Sequence, residues 1–188
     1  MYDVDLKLLY EALNYYKLCG YEMISAPLLV DKDIVEITLP SNKVAKEHLG
    51  LFYVGSAEQS FYQLMKNGDS HLSKYSKFMM LTPCQRDEVL DGEHLEIFLK
   101  LELISFKGDT IGDVYNFYKS KGFLVEKEKT EYGEDLVINN LEVGSFGNRF
   151  FINKLVHFGT GLALPRISQA FKLGDKWCLG IIVYVVRS

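Results

Sequence analysis

From His94 to Leu103 apolar and chemically active side chains alternate without a break. Leu95, Ile97, Leu99, Leu101 and Leu103 fall on one parity, and His94, Glu96, Phe98, Lys100 and Glu102 on the other. A period of two belongs to an extended strand, not a helix. Such a strand buries an aliphatic back and presents a ring, a cation and carboxylates on its front. An earlier apolar-rich run, Lys77 to Glu88, is joined to the run His94 to Phe106 by VLDGE, whose Asp91-Gly92 is a hairpin signal. The same count puts Arg86 and Glu88 together on one face of the first strand.

The rest of the chain supplies helices for this sheet. Leu6, Leu9, Leu13, Tyr16 and Leu18 predict a helix over Asp3 to Leu18, stopped by Gly20. Tyr21 to Val30 reads as a strand interrupted by Pro27, which suits an edge or an interface. Asn42 to His48 reads as a short polar helix and Leu51 to Val54 as a strand; Ser56 then caps a helix from Ala57 to Lys66. Thr110 to Lys121 is an amphipathic helix ended by Gly122. Further strands are expected at Leu124 to Lys129, Asp135 to Ile138, Leu141 to Phe146, Phe150 to Phe158 and Cys178 to Val186. GTGLALPR reads as a glycine-rich strand-to-helix turn, with the helix beginning near Leu164. Antiparallel pairing with inserted helices indicates an α+β fold, a mainly antiparallel sheet flanked by helices.

With 188 residues, 48% of them hydrophobic, the chain suits a single domain over 1–188. Its 25 acidic residues against 21 basic ones, a net charge of -4, weigh against a dedicated nucleic-acid clamp. No apolar run reaches the roughly 18 residues of a membrane span, and the acidic start MYDVDLKLLYEAL is no signal peptide. Cys19, Cys84 and Cys178 lie far apart, as expected in a reducing cytoplasm. Only four basic residues are arginines: Arg86, Arg149, Arg166 and Arg187. Each is a candidate for chemistry that lysine performs poorly, such as bidentate binding of phosphate.

Three segments, in order, resemble the three motifs of class II aminoacyl-tRNA synthetases: GYEMISAPLLV, CQRDEVLDGEHLEIFLKLE and GTGLALPR. FLKLE, GTGLALPR and GSAEQS are most similar to the seryl enzymes, and the short hairpin CQRDEVLDGEHLEIF to the pyrrolysyl enzyme. The resemblance covers Leu6 to Val186 and implies a class II synthetase/biotin ligase-like core. It implies activation of an amino acid with ATP and Mg2+ to an aminoacyl-adenylate. Carboxylate attack on the α-phosphate expels pyrophosphate, so positioning and charge stabilisation dominate.

By the same resemblance Arg86 bridges α-phosphate and carboxylate, Glu88 orients the adenine or the arginine, Phe98 stacks on adenine, and His94 and Arg166 sit at the γ-phosphate. Glu142 and Ser145 match a magnesium-binding pair. Residues three apart on a regular strand face opposite ways, so Gly144 must supply a bulge if both are to serve. Ser56 and Glu58, in GSAEQ, match the loop that recognises the α-ammonium; an ordinary first-turn glutamate stabilised by the helix dipole is the competing reading. Lys100 and Glu102 line the side-chain end of the pocket, which suits a small hydrophilic substrate.

Gln85, Ile97 and Pro165 depart from the family pattern. On this length no anticodon-binding domain is expected, and Asp87, Glu88, Asp91 and Glu93 make the hairpin acidic, so tRNA is disfavoured as acceptor against a carrier protein or a small molecule. The alternative is a catalytically lapsed paralogue acting as a dimeric regulatory or accessory protein. Either way a homodimer is expected through the strand around Pro27.

Overall fold

The computed structural model describes residues 5–39, 44–85, 97–131, 133–164 and 166–170. Its centre is the antiparallel pair expected from the alternation: β5 (Lys77–Gln85) against β6 (Ile97–Ser105), in continuous register from Lys77↔Ser105 to Gln85↔Ile97. Residues 86–96, among them Arg86, Glu88 and His94, lie outside the described residues, as does the strand expected at Cys178 to Val186.

A seven-stranded sheet is built around that pair. β1 (Glu22–Met23) runs parallel to β5 at one edge. On the other side follow β10 (Lys154–Leu164), β9 (Leu141–Phe151), β8 (Glu134–Ile138) and β7 (Glu126–Lys129), all antiparallel. A small sheet holds β2 (Leu29–Val30), β4 (Leu51–Tyr53) and β3 (Glu47–His48).

Parity then sorts the layers. Leu101 and Leu103 of β6 and Met79 of β5 face α1 (Leu6–Leu18) and α4 (Ile111–Ser120) in one core, which includes Tyr16, Phe117 and Phe146. Phe78, Met80 and Ile104 face the opposite core with α2 (Lys32–Glu36) and α3 (Ala57–Lys66). The helices are stopped as their termini dictate. Asp5 caps α1 by accepting from the Leu8 N–H at 2.9 Å, and Gly20 and Gly122, at φ +87° and +85°, close α1 and α4.

Several local expectations need correction. Tyr21 to Val30 is not one strand: its two ends join different sheets, and the Pro27 carbonyl between them accepts from the Ser60 hydroxyl at 2.7 Å. The described part of Asn42 to His48 is not helical. Glu47 and His48 pair with Phe52 and Leu51 around a turn at Leu49-Gly50, both at positive φ, and a local pairing with a glycine turn outcompetes a short helix. Phe150 to Phe158 contains a hairpin turn at Ile152-Asn153, so β9 and β10 are two long strands.

The glycines of GTGLALPR do not form a turn either. Gly159 and Gly161 lie inside β10, and residues 166–170 are helical. At Gly159 a Cβ would collide with the Phe146 ring and the Thr110 hydroxyl; at Gly161 it would press on Leu103 and Tyr16. These glycines answer to packing inside the sheet.

Candidate functional site

The site is the α3-facing side of the sheet, and its residues arrive from four directions. β6 contributes Phe98, Lys100 and Glu102 on the parity opposite Leu101 and Leu103. This front is not open to solvent: Lys100 is 9% exposed and Glu102 1%. Phe98 is half-buried, opposite Cys84 in the register.

Ser56 stands where the extended chain turns into α3. Its hydroxyl accepts from the Glu58 N–H at 3.2 Å, capping the helix, and donates to Glu102 Oε2 at 2.8 Å. Lys100 Nζ reaches the same Glu102 oxygen at 2.8 Å and the Ser56 hydroxyl at 3.5 Å. Ser56, Lys100 and Glu102 therefore form one buried polar knot. Its parts come from a helix start and a strand 44 and 46 residues away.

Glu58, in the first turn of α3, is 5% exposed. The Tyr62 hydroxyl donates to its Oε1 at 2.6 Å and Arg149 Nε donates to the same oxygen at 3.3 Å. Burial pushes its pKa up to about 7, helped by the nearby Glu102 charge and opposed by the Tyr62 hydrogen bond, Arg149 and Lys100. Burial, with Glu58 beside it, holds the Tyr62 hydroxyl firmly protonated and thus a donor. Glu58 remains the acidic residue of the first turn of α3, but as a buried carboxyl tied to Tyr62 and Arg149.

Glu142 and Ser145 do share a face. Between Leu136↔Gly144 and Val137↔Glu142 the register shifts by one, so Val143 is the extra residue of a bulge. Leu141, Val143, Gly144 and Phe146 point inward and Glu142 and Ser145 outward, on the side of the sheet that carries Lys100 and Glu102. β10 has a matching irregularity at Gly161, between Thr160↔Glu102 and Leu162↔Leu101. Arg166, at the start of the helical residues 166–170, donates through Nη1 to Glu142 Oε1 at 3.2 Å.

The structure thus brings together Ser56, Glu58, Lys100 and Glu102 in one group and Glu142 and Arg166 in another, with Ser145 on the same face. No group of three or more His, Cys, Asp or Glu able to hold a metal occurs among the described residues. The exposed oxygens of Glu142 and Ser145 fit a weakly held magnesium that relies on phosphate and water for its other ligands. Two residues of the network carried no motif. Tyr62 is recoverable as the helical i+4 neighbour of Glu58. Arg149, 91 residues from Glu58, is signalled only by the scarcity of arginine.

No protein-family model and no curated protein sequence matches this chain. Solved structures do. A pyrrolysyl-tRNA synthetase from Desulfitobacterium hafniense, in two structures, aligns over 89% of the chain at 16% identity with TM-scores of 0.68 and 0.63. A cytoplasmic serine–tRNA ligase from Naegleria fowleri, in complex with AMP, aligns over 86% at 16% identity and a TM-score of 0.64. The chain spans 66%, 69% and 46% of these three chains. It has the fold of a class II aminoacyl-tRNA synthetase catalytic core.

Proposed function

We propose that the α3-facing side of the sheet binds an amino acid and ATP and joins them as an aminoacyl-adenylate. The carrying observation is that Glu58, Glu102 and Lys100 gather at one end of a face whose other residues include Phe98, Glu142, Ser145 and Arg166, on a class II fold. In this reading Ser56 and Glu58 recognise the α-ammonium, Lys100 and Glu102 line the side-chain end of the pocket, and Phe98 offers a ring to the adenine. Arg166, held beside Glu142, meets phosphate oxygens with a guanidinium fork. Magnesium, held by Glu142 and Ser145, would supply charge neutralisation on the phosphates. Arg86, Glu88 and His94 complete the ATP contacts in the same proposal. The described residues pre-orient the two anions and stabilise charge as pyrophosphate leaves.

The acceptor of the aminoacyl group is read as a carrier protein, a small molecule or tRNA, the last disfavoured by the acidic hairpin sequence. A homodimer through the segment around Pro27 and a cytoplasmic location belong to the same reading. No helix among the described residues is long and apolar enough to cross a membrane.

Amino-acid-dependent exchange of labelled pyrophosphate into ATP tests the proposal. One amino acid is expected to support exchange, and Arg166→Ala to lower its rate by about a hundredfold or more, the scale of losing one transition-state donor. No exchange with any of the common amino acids, on protein shown to be folded, would overturn it.

A further inference from the structure

We infer that Arg149 is a positioning residue for ligand recognition, acting through Glu58. The inference rests on the reading of Glu58 as an ammonium-binding carboxylate and adds a residue outside every motif quoted above. Arg149 is fixed by three elements at once. Its Nε donates to Glu58 on α3 at 3.3 Å, and its Nη1 donates to the Ile37 carbonyl, at the C-terminal cap of α2, at 2.8 Å. Its guanidinium lies 5.9 Å from the Phe158 ring centroid of β10. A guanidinium held this way loses little freedom when it meets a carboxylate.

The charges around Glu58 divide unequally. Tyr62 faces it from its own helix, Lys100 and Glu102 from β6, and Arg149 from β9. Lys100 is committed to Glu102 at 2.8 Å, so Arg149 is the cation hydrogen-bonded to Glu58 among the described residues. Both Tyr62 and Arg149 address Oε1. Oε2 carries no hydrogen bond among the described residues, which leaves it as the acceptor for a ligand cation. Arg149 thus does two things: it turns the carboxylate so that one oxygen remains available, and it favours the ionised form that an ammonium ligand requires. Removing it leaves the buried carboxyl with the Tyr62 hydrogen bond alone and shifts it further toward its neutral form.

Two arms test this. Arg149→Gln removes the charge and keeps a donor for the Ile37 carbonyl; Arg149→Lys keeps the charge. In pyrophosphate exchange measured from about pH 6 to 9, Arg149→Gln is expected to raise the amino-acid KM about tenfold at neutral pH with kcat nearly unchanged. The acidic limb of its kcat/KM profile should move up by about one pH unit, with Arg149→Lys restoring it. An unchanged KM, or a lowered kcat on an unmoved profile, would show a merely structural role and overturn the inference.

The second arm needs no activity. In carboxyl 13C NMR with labelled glutamate, the Glu58 signal is identified by its loss in Glu58→Gln. Its midpoint should rise in Arg149→Gln and recover in Arg149→Lys; an unchanged midpoint overturns the coupling. If no amino acid supports exchange, the parent reading fails by the first assay while this arm still decides whether Arg149 governs Glu58.

Discussion

A carboxyl group buried as deeply as that of Glu58 titrates far from its ordinary range, and this makes folding stability depend on pH. Burial raises its pKa from 4.5 to about 7. The native state therefore binds more protons than the unfolded chain between those values, so Glu58 lowers stability as pH rises through the window. The loss is on the order of 3 kcal/mol when complete. Urea unfolding at the two ends of the window should show a fall in wild type that Glu58→Gln, which keeps an acceptor for Tyr62, largely removes. An identical pH slope in both proteins would contradict the assignment. At this scale the polar knot was legible in part. Ser56 announces itself as a helix cap, and Lys100 and Glu102 by their parity opposite the leucines. That their charges would be buried was not legible, because it depends on α3 packing over β6. The Arg149–Glu58 pair has no local pattern at all; only folding brings β9 to α3.

Two hairpins of the sheet turn through two-residue loops with both residues in the left-handed region. Between β8 and β9 the residues are Asn139 and Asn140, at φ 54° and 61°; between β9 and β10 they are Ile152 and Asn153, at φ 41° and 59°. Such loops match the twist of the strands they join, and asparagine tolerates the conformation where a β-branched residue does not. Ile152 is also 51% exposed, so it gains little burial in return. Ile152→Asn is expected to stabilise the protein by about 1 kcal/mol, read as a rise of a few degrees in Tm. No rise, or a fall, would mean that the isoleucine makes a compensating contact. This loop also explains a misreading. Ile152 sits among Phe150, Phe151 and Leu155 and looks like the middle of a strand, so the turn was invisible. The helix from Ala57 to Lys66 was legible to its ends, because capping chemistry is local. The five-residue α2 was not, since its Asp31 lacks a side-chain cap bond and its two buried residues, Ile34 and Val35, fit a strand equally well.

At the scale of the whole molecule the fold class followed from hydrophobic period and hairpin signals, but the layering did not. Which helix covers which face is decided by contacts between distant segments, as when Tyr16 of α1 donates to the Gly161 carbonyl of β10 at 2.8 Å. The proposed dimer belongs to this scale too. Met23 and Leu28, 45% and 46% exposed, flank Pro27 beside the edge strand β1. Glutamate at both positions should convert a dimeric mass in light scattering to a monomeric one without altering the circular dichroism; a wild type already monomeric at ~10 μM would refute the dimer. The bulge in β9 reaches beyond the ligand. Ironing it out would slide part of the strand by one residue and, if Ser145 and Phe146 kept their places, turn Leu141 to the outside and drive Glu142 into the apolar core. A bare carboxylate cannot be accommodated there. The outward carboxylate of Glu142 thus disfavours the smooth register relative to the bulged one, a contribution to strand pairing that does not depend on any nucleotide.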